Sequence, residues 1–201
     1  TVIILWILLP TVILLTFLIV ASFHFGKEDT QFLIGDNSYL NQFLFFLKGS
    51  LVIFAPLYFN FNETVSIFKL LLIENESFYK SLNVIENNNF LIFGIVLSTL
   101  SSIFLFFKKF ELKKFIIFFD YFSIMIINIY FSPLVAFTIY FCFLHSIRHS
   151  ISLITELDPE SLKNGLLVFI KKATPLTILT TAFCLLGLYF LNNNYNLDSA
   201  I

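Results

Sequence analysis

Residues 133–149 have the sequence PLVAFTIYFCFLHSIRH, and residues 150–156 continue it as SISLITE. This stretch is mostly apolar over the ~20 residues that a helix needs to cross a bilayer, and it carries two histidines in its second half. An ionisable side chain is costly in lipid, so an intramembrane histidine usually faces the interior of a bundle and marks a functional site. We therefore expect a membrane helix that holds part of a buried site.

The rest of the chain has the same apolar character. Its 201 residues are 58% hydrophobic and have a mean hydropathy of +0.90, which is too apolar for a globule dispersed in water. The sequence therefore predicts an all-α fold, a polytopic membrane helix bundle that forms a single domain over residues 1–201 within a lipid bilayer. About six spans are expected, at residues 1–23, 40–59, 89–107, 115–131, 133–156 and 173–191.

Charge and cysteine content exclude other classes of protein. The net charge of −1 offers no basic surface for nucleic acid, so no nucleic-acid partner is expected. Cys142 and Cys184 both lie within apolar stretches, where a disulfide framework is not expected. Both cysteines are predicted to be small residues of the membrane core.

Basic residues are concentrated on one side of the predicted spans. The connections after the first, third and fifth spans hold most of them, so the positive-inside bias places these connections in the cytoplasm. His24 closes the first span, and His145 and His149 lie toward the end of the fifth, which also runs inward. This topology brings all three histidines to the cytoplasmic half of the membrane. The residues that set the bias are Lys27, Lys108, Lys109, Lys113, Lys114, Arg148, Lys163, Lys171 and Lys172.

The spacing of the histidines indicates a shared metal ion. His145 and His149 are four residues apart, so their imidazoles project from one face of a helix and can hold one ion. His24 at a matching depth provides a third donor. An all-imidazole shell suits iron, copper or zinc, and non-haem iron or zinc is the plainest choice because no cysteine or carboxylate is clearly placed among the ligands. Three independent structural histidines are the alternative.

Several motifs resemble those of one known family. The runs FHFGKED at residues 23–29 and HSIRH at residues 145–149 are the most specific, whereas Lys48 and Gly49 followed by Pro56, and TPL at residues 174–176, are weaker. Together they resemble the Brp/Blh family of membrane-bound β-carotene 15,15′-dioxygenases, which make retinal for microbial rhodopsins. The resemblance implies oxidative cleavage of β-carotene by dioxygen at iron(II), in the inner membrane of a bacterial or archaeal cell.

The resemblance also implies how the iron is held. Members of the family use four histidines on a single iron, and three of the motif positions are His24, His145 and His149. The fourth belongs to a His-Gly-x-x-Asp motif on an earlier helix, and the chain contains no such motif. The chain also opens at Thr1, without a methionine. We therefore expect a fragment that lacks at least one upstream helix and whose iron shell is incomplete.

Acidic residues are expected to orient the imidazoles through their second ring nitrogen. Glu28 and Asp29 follow His24 closely in sequence, and Asp120 is the acid that lies well inside a predicted span. An unpaired carboxylate in lipid is costly, so Asp120 is expected to face the site or to pair with Lys48 or a hydroxyl group.

Arg148 lies between the two histidines of the HSIRH motif. Its long side chain can carry the charge toward the membrane surface while the aliphatic part stays in lipid. We expect it to reach cytoplasmic phosphates or to pair with Glu156, and not to take part in the chemistry.

β-Carotene has no polar group, so its position along a channel must be set by shape and aromatic packing. The chain contains 29 phenylalanines that can provide such packing. Around the fifth span we expect the channel to be lined by Phe137, Tyr140, Phe141 and Phe143. The alternative for each of them is simple exposure to lipid.

Other classes of protein use histidine in membranes. A di-iron desaturase or hydroxylase needs many more histidines than three, and an intramembrane zinc protease needs a glutamate where Ser146 follows His145. A haem- or metal-binding membrane protein without oxygenase activity, and a transporter, remain open. The first predicts a Soret band if haem is bound, and the second predicts flux without product.

Overall fold

The computed structural model describes residues 2–34, 38–71, 75–108 and 111–194. Within these ranges the chain is helical and contains no strand, as the all-α prediction requires. Lys109, one of the residues used for the topology, lies outside the described residues. A short 3-10 helix at Leu112–Lys114 and a π-helical segment at Tyr140–His145 interrupt the α-helices. The α-helices are α1 Val2–Leu8, α2 Pro10–Glu28, α3 Gln31–Ile34, α4 Tyr39–Gly49, α5 Leu51–Phe59, α6 Phe61–Leu70, α7 Glu76–Asn87, α8 Phe90–Phe107, α9 Phe115–Tyr130, α10 Pro133–Ile139, α11 Ser146–Leu157 and α12 Leu162–Asn194.

Five helical stretches in the described part of the chain are long and apolar enough to cross a membrane, which makes this a multi-pass membrane protein. The expected number of about six needs one correction. The predicted span 115–131 is the helix α9, but its 16 residues extend over only about 24 Å, less than the ~30 Å hydrocarbon core. The five stretches are Pro10–Glu28, Tyr39–Phe59, Phe90–Phe107, Pro133–Leu157 and Leu162–Gly187.

Two helix starts differ from the sequence expectation. The first span begins at Pro10 because proline, which lacks a backbone N–H, is favoured in the first turn of a helix and here separates α2 from α1. The last helix begins at Leu162, well before the expected residue 173, because residues 162–172, which mix apolar and polar side chains, continue the same helix. The first case is a break within an apolar segment, and the second is a helix that extends beyond one.

The chain divides into two compact units, residues 1–149 and residues 150–201. In the second unit, α12 returns after a turn in which Gly165 lies against the end of α11. A Cβ atom on Gly165 would lie 2.3 Å from the carbonyl oxygen of Ile154, so glycine permits this close approach. The single-domain organisation stays a prediction.

Helices α2 and α4 touch through their backbones in the first unit. A Cβ atom on Gly26 would lie 1.8 Å from the carbonyl oxygen of Phe45, and one on Gly49 would lie 1.9 Å from that of Ser22. Small residues at such crossings let membrane helices approach closely. The contact brings the C-terminal end of α2 close to Lys48, which stands beside Gly49.

Serine hydroxyls tie α8 to α4. Ser98 Oγ donates to the carbonyl oxygen of Lys48 at 3.2 Å, and Ser101 Oγ donates to that of Leu44 at 2.6 Å. Hydrogen bonds of this kind between helices stabilise membrane bundles by about 0.6 kcal/mol each. The apolar core next to them joins α2, α5, α8, α9, α10 and the π-helical segment through Ala21, Phe25, Leu51, Ala55, Ile95, Ile124, Ile127, Ala136 and Tyr140.

Candidate metal and substrate site

The three histidines lie next to one another in the first unit. The ring centroids of His24 and His145 are 5.5 Å apart, and those of His145 and His149 are 6.1 Å apart with ring planes only 3° from parallel. His24 comes from α2, His145 ends the π-helical segment and His149 lies one turn later in α11. His145 is buried, His149 is half-buried and His24 is exposed. The structure therefore brings together the residues that the topology placed at one depth.

Two carboxylates orient two of these imidazoles. Nδ1 of His145 lies 3.0 Å from Oδ1 of Asp29, and Nδ1 of His149 lies 3.1 Å from Oε2 of Glu28. An ionised carboxylate only accepts hydrogen bonds, so the proton of each neutral ring resides on Nδ1. Nε2 then keeps its lone pair, which is the arrangement found in metal-binding histidines.

Asp29 is the centre of this arrangement and is only 3% exposed. Besides His145, it accepts a hydrogen bond from the hydroxyl of Tyr140 at 2.7 Å and forms an ion pair with Arg148 at 3.2 Å. Burial alone would raise the pKa of Asp29, but the hydrogen bond from His145 and the charges of Lys48 and Arg148 outweigh it and lower the pKa below its ordinary value. Asp29 is therefore a carboxylate at neutral pH.

The π-helical segment explains why Tyr140 and His145 share one carboxylate. Residues five apart in an α-helix lie on different faces, whereas the i to i+5 hydrogen bonding of a π-helix brings them nearly into line. The ring centroids of Tyr140 and His145 are 6.1 Å apart, and both side chains reach Asp29. The sequence prediction placed Tyr140 in the channel wall, and no sequence signal marks the π-helical turn.

The expected partners of Arg148, cytoplasmic phosphates or Glu156, are wrong. Its guanidinium donates from Nη1 and Nη2 to the two carboxylate oxygens of Asp120, with Nη1 at 2.9 Å from Oδ2, in addition to its ion pair with Asp29. A buried carboxylate without a charged partner is costly, whereas a headgroup phosphate is already hydrated by water. Arg148 lies three residues after His145, on the same helix face, so it reaches the carboxylates around that histidine. Asp120 also lies 3.6 Å from Nζ of Lys48, the partner that was one of its predicted alternatives.

The donor set fits an iron(II) or zinc ion by its chemistry. Neutral imidazoles with a free Nε2 and a carboxylate on Nδ1 are ordinary ligands of either metal; His145 and His149 have this arrangement, and His24 could supply a third imidazole. Within the described ranges, however, no group of three or more His, Cys, Asp or Glu side chains has the geometry of a metal site. Which metal is held, and by which of these residues, stays a prediction.

An apolar cavity of about 280 Å³ lies between α2, α5, α6, α9 and α10. Its polar lining residues are bonded within the protein. Thr64 Oγ1 donates to Asn60, Asn128 Nδ2 donates to the carbonyl oxygen of Ile124, and Tyr140 donates to Asp29. The cavity therefore offers mainly hydrocarbon surface, and these hydroxyl and amide donors of its lining are used within the protein, which suits an apolar ligand.

Phe25 separates the cavity from the histidines. Its ring lines the cavity and lies 4.8 Å from the ring of His145 and 5.7 Å from that of His24, measured between centroids. The sequence prediction missed Phe25, although it stands beside His24 in the FHFGKED run. Phe25 therefore contacts both the cavity and two of the three histidines.

The four aromatic residues expected to line a channel divide into two groups. Phe137 and Tyr140 line the cavity. Phe141 is not among the lining residues and stacks on His145 at 5.8 Å, and Phe143 is 64% exposed on the outside of the bundle. Phe143 has the lipid-facing position that is the alternative for such residues.

The fold and the site together define a multi-pass membrane protein in which histidine, carboxylate and arginine side chains, with His145, Asp29 and Asp120 buried, lie near an apolar cavity. The family model for beta-carotene 15,15'-dioxygenase matches residues 1–201, and the chain belongs to this family. The match covers the whole sequence and confirms the resemblance found in the motifs. Searches of curated proteins and of solved structures give no match. Membership of the family indicates β-carotene as substrate and dioxygenase chemistry.

Proposed function

We propose that the protein cleaves the central 15,15′ double bond of β-carotene with dioxygen, at an iron(II) ion bound by His24, His145 and His149, and releases two molecules of retinal. One observation carries the proposal: His145 and His149 each have Nδ1 bonded to a carboxylate, and a cavity with a mainly apolar lining lies on the other side of Phe25. Such rings are prepared to bind a metal, and such a cavity is prepared to bind a polyene.

The overall reaction balances without a further reactant. The central carbon–carbon double bond is replaced by two carbon–oxygen double bonds, and each aldehyde takes one atom of the dioxygen molecule. Iron(II), when bound, supplies the open coordination positions at which dioxygen is activated. Because no external reductant is consumed, the protein needs no docking site for an electron donor.

The protein side chains position the reactants. Asp29 and Glu28 hold the Nδ1 protons of His145 and His149, so that both Nε2 atoms stay available. The cavity takes one half of the symmetric polyene by shape, since its lining offers no hydrogen bond to a hydrocarbon. Phe25 lies where the cavity meets the histidines and stops the polyene beside them.

The family resemblance supports the cellular setting. We propose the inner membrane of a bacterial or archaeal cell as the location, because β-carotene is dissolved in the bilayer and can enter the cavity directly from it. Two lining residues, Phe17 and Leu134, are exposed on the outer surface of the first unit, where such an entrance is expected. The retinal product would then serve as chromophore for a microbial rhodopsin.

The test is expression of the protein in a β-carotene-producing bacterial host supplied with iron. We expect retinal to accumulate and the carotenoid colour to fade, as measured by chromatography of the extracted pigments. The Phe143→Leu variant, altered on the exposed face, serves as a matched control that retains activity. Untouched β-carotene in a host whose purified protein carries iron would overturn the proposal, and a Soret band or flux without product would support the haem or transporter alternatives.

A further inference from the structure

The carboxylate that orients His145 is itself held by a second layer of charged groups. Nη1 of Arg148 lies 3.2 Å from Oδ1 of Asp29 and 2.9 Å from Oδ2 of Asp120. The guanidinium therefore bridges two carboxylates, one just after the end of α2 and one within α9. Arginine is suited to this position because its planar group offers several donors in fixed directions.

Lys48 completes the group from a third direction. Its Nζ lies 3.6 Å from Oδ2 of Asp120, and the residue is only 6% exposed. Two carboxylates and two cations thus lie together with no net charge. In a medium of low dielectric constant, removal of one member leaves an uncompensated charge, and this is costly.

The contacts of the two Asp29 oxygens link Arg148 to His145. Oδ2 accepts from the hydroxyl of Tyr140 at 2.7 Å, while Oδ1 faces both Nδ1 of His145 and Nη1 of Arg148. A rotation of the carboxylate would disturb all three contacts together. The fork of Arg148, bonded through both Nη atoms to Asp120, therefore sets the position of the oxygen that His145 uses.

We infer that Asp120 is a positioning residue for His145: it holds Arg148, Arg148 holds Asp29, and Asp29 keeps the His145 proton on Nδ1 and the ring in its metal-binding orientation. The inference rests on the proposed function in one respect, that His145 binds the metal. It assigns a role in the site to a residue on α9, whose bonds go to Arg148 and Lys48 and not to a histidine.

A purely electrostatic role for Asp120 makes a different prediction. If Asp120 only neutralised Lys48 and Arg148, removal of Lys48 together with the Asp120 charge would restore the site, because Arg148 and Asp29 would still balance. If Asp120 positions Arg148, the paired change restores stability but not the orientation of His145. Arg148→Lys separates the two roles in another way, since it keeps the charge and loses the fork.

The experiment uses the full chain in lipid nanodiscs, compared among the wild type, Asp120→Asn, Lys48→Met with Asp120→Asn, Arg148→Lys, and the control Glu76→Gln at an exposed ion pair. Two quantities are measured: the affinity for Co(II) by competition with a chelator, and the ¹⁵N shifts of His145 in metal-free protein, which report the tautomer. We expect Co(II) affinity about 10- to 100-fold weaker in all three site variants and unchanged in Glu76→Gln. We also expect a mixture of His145 tautomers in the three site variants alone.

The inference would be overturned if Asp120→Asn kept the wild-type Co(II) affinity and a single His145 tautomer. It would also be overturned if Lys48→Met combined with Asp120→Asn fully restored the affinity and the tautomer. A thermal melt identifies any variant that does not fold. If Asp120→Asn is unfolded, Arg148→Lys tests the inference in its place, because this variant keeps the positive charge. Failure of the wild type to bind any metal would instead refute the proposed function. The tautomer of His145 in metal-free protein would still test the link from Asp120.

Discussion

Two regions of the first unit are built from overlapping helices but depend on different physical properties. Near the end of α2, the groups Asp29, Lys48, Asp120 and Arg148 meet at distances of 2.5 to 3.6 Å, and each side chain has a defined partner. A few residues away along the chain, the cavity presents a mainly apolar surface. The charged region depends on individual atoms, whereas the cavity depends on volume.

This difference predicts how the two regions respond to substitution. A change of one atom in the charged region leaves a buried group without its partner, and the cost of that is large. In the cavity an exchange of similar volume should be tolerated, whereas filling the space should not. The four predictions below test this contrast, from the largest expected effect to the smallest.

The largest effect is expected for His145→Ala. The substitution removes the imidazole that Asp29 orients, so metal binding and retinal formation should both be lost, a greater effect than the ~10–100-fold typical of residues that only support a ligand. Metal content of the purified protein and retinal yield are the measurements, and membrane insertion should be unaffected. Normal metal content in this variant would show that His145 is not a ligand.

Asp29→Asn should have the second-largest effect. Asparagine keeps the shape and an acceptor oxygen but removes the charge, so the His145 tautomer is less strongly held and Arg148 loses one of its two partners. Metal affinity should fall by about 10- to 100-fold. Glu63→Gln, at an exposed position, is the matched control and should bind metal as the wild type does. Equal affinities in the two variants would contradict the role of Asp29.

Ala136→Leu tests the cavity without touching the charged region. Ala136 is fully buried and lines the cavity, so a larger side chain occupies space that the polyene needs, at a cost of about 1–3 kcal/mol in packing. We expect a higher KM for β-carotene with unchanged metal affinity. Leu134→Ala, which enlarges the exposed rim, should leave metal affinity unchanged as well. A loss of metal binding in Ala136→Leu would mean that the two regions are not separable.

The smallest effect is expected for Thr64→Val. The hydroxyl of Thr64 lines the cavity but donates to the carbonyl oxygen of Asn60 at 2.9 Å, so it offers nothing to the substrate. Removing it should lower stability by about 0.6 kcal/mol and leave the rate of retinal formation within about twofold of the wild type. A large fall in activity would show that the cavity wall uses a polar contact, contrary to its apolar character.

Much of the site follows from local rules. The HSIRH spacing places His145 and His149 on one helix face, and the distribution of lysines places His24 at the same depth. Glu28 and Asp29 follow from their nearness to His24 and from the need of a ligating imidazole for a second-nitrogen partner. These predictions need only the period of a helix and the cost of charge in lipid.

Other parts could not be predicted in this way. Arg148 was expected at the membrane surface or paired with Glu156. Its partners Asp29 and Asp120 are distant from it in sequence, so no local rule indicates them. The role of Tyr140 depends on the π-helical segment, whose extra residue per turn has no sequence signature. Phe143 was expected in the channel, but that same segment helps to decide which aromatic side chains face lipid.

The sequence by itself determined that this is a membrane helix bundle and predicted which histidines lie at one depth, because composition, helical period and charge bias act locally along the chain. Its motifs indicated the family that the family match confirms. Only the tertiary structure decided which carboxylate meets which imidazole or guanidinium, and where the apolar cavity ends. Those choices depend on the approach of α2 to α4 at Gly26 and Gly49 and on the packing of α9 beside them. A buried charge takes the partner that the fold brings within reach, and that distance is set by several helices together.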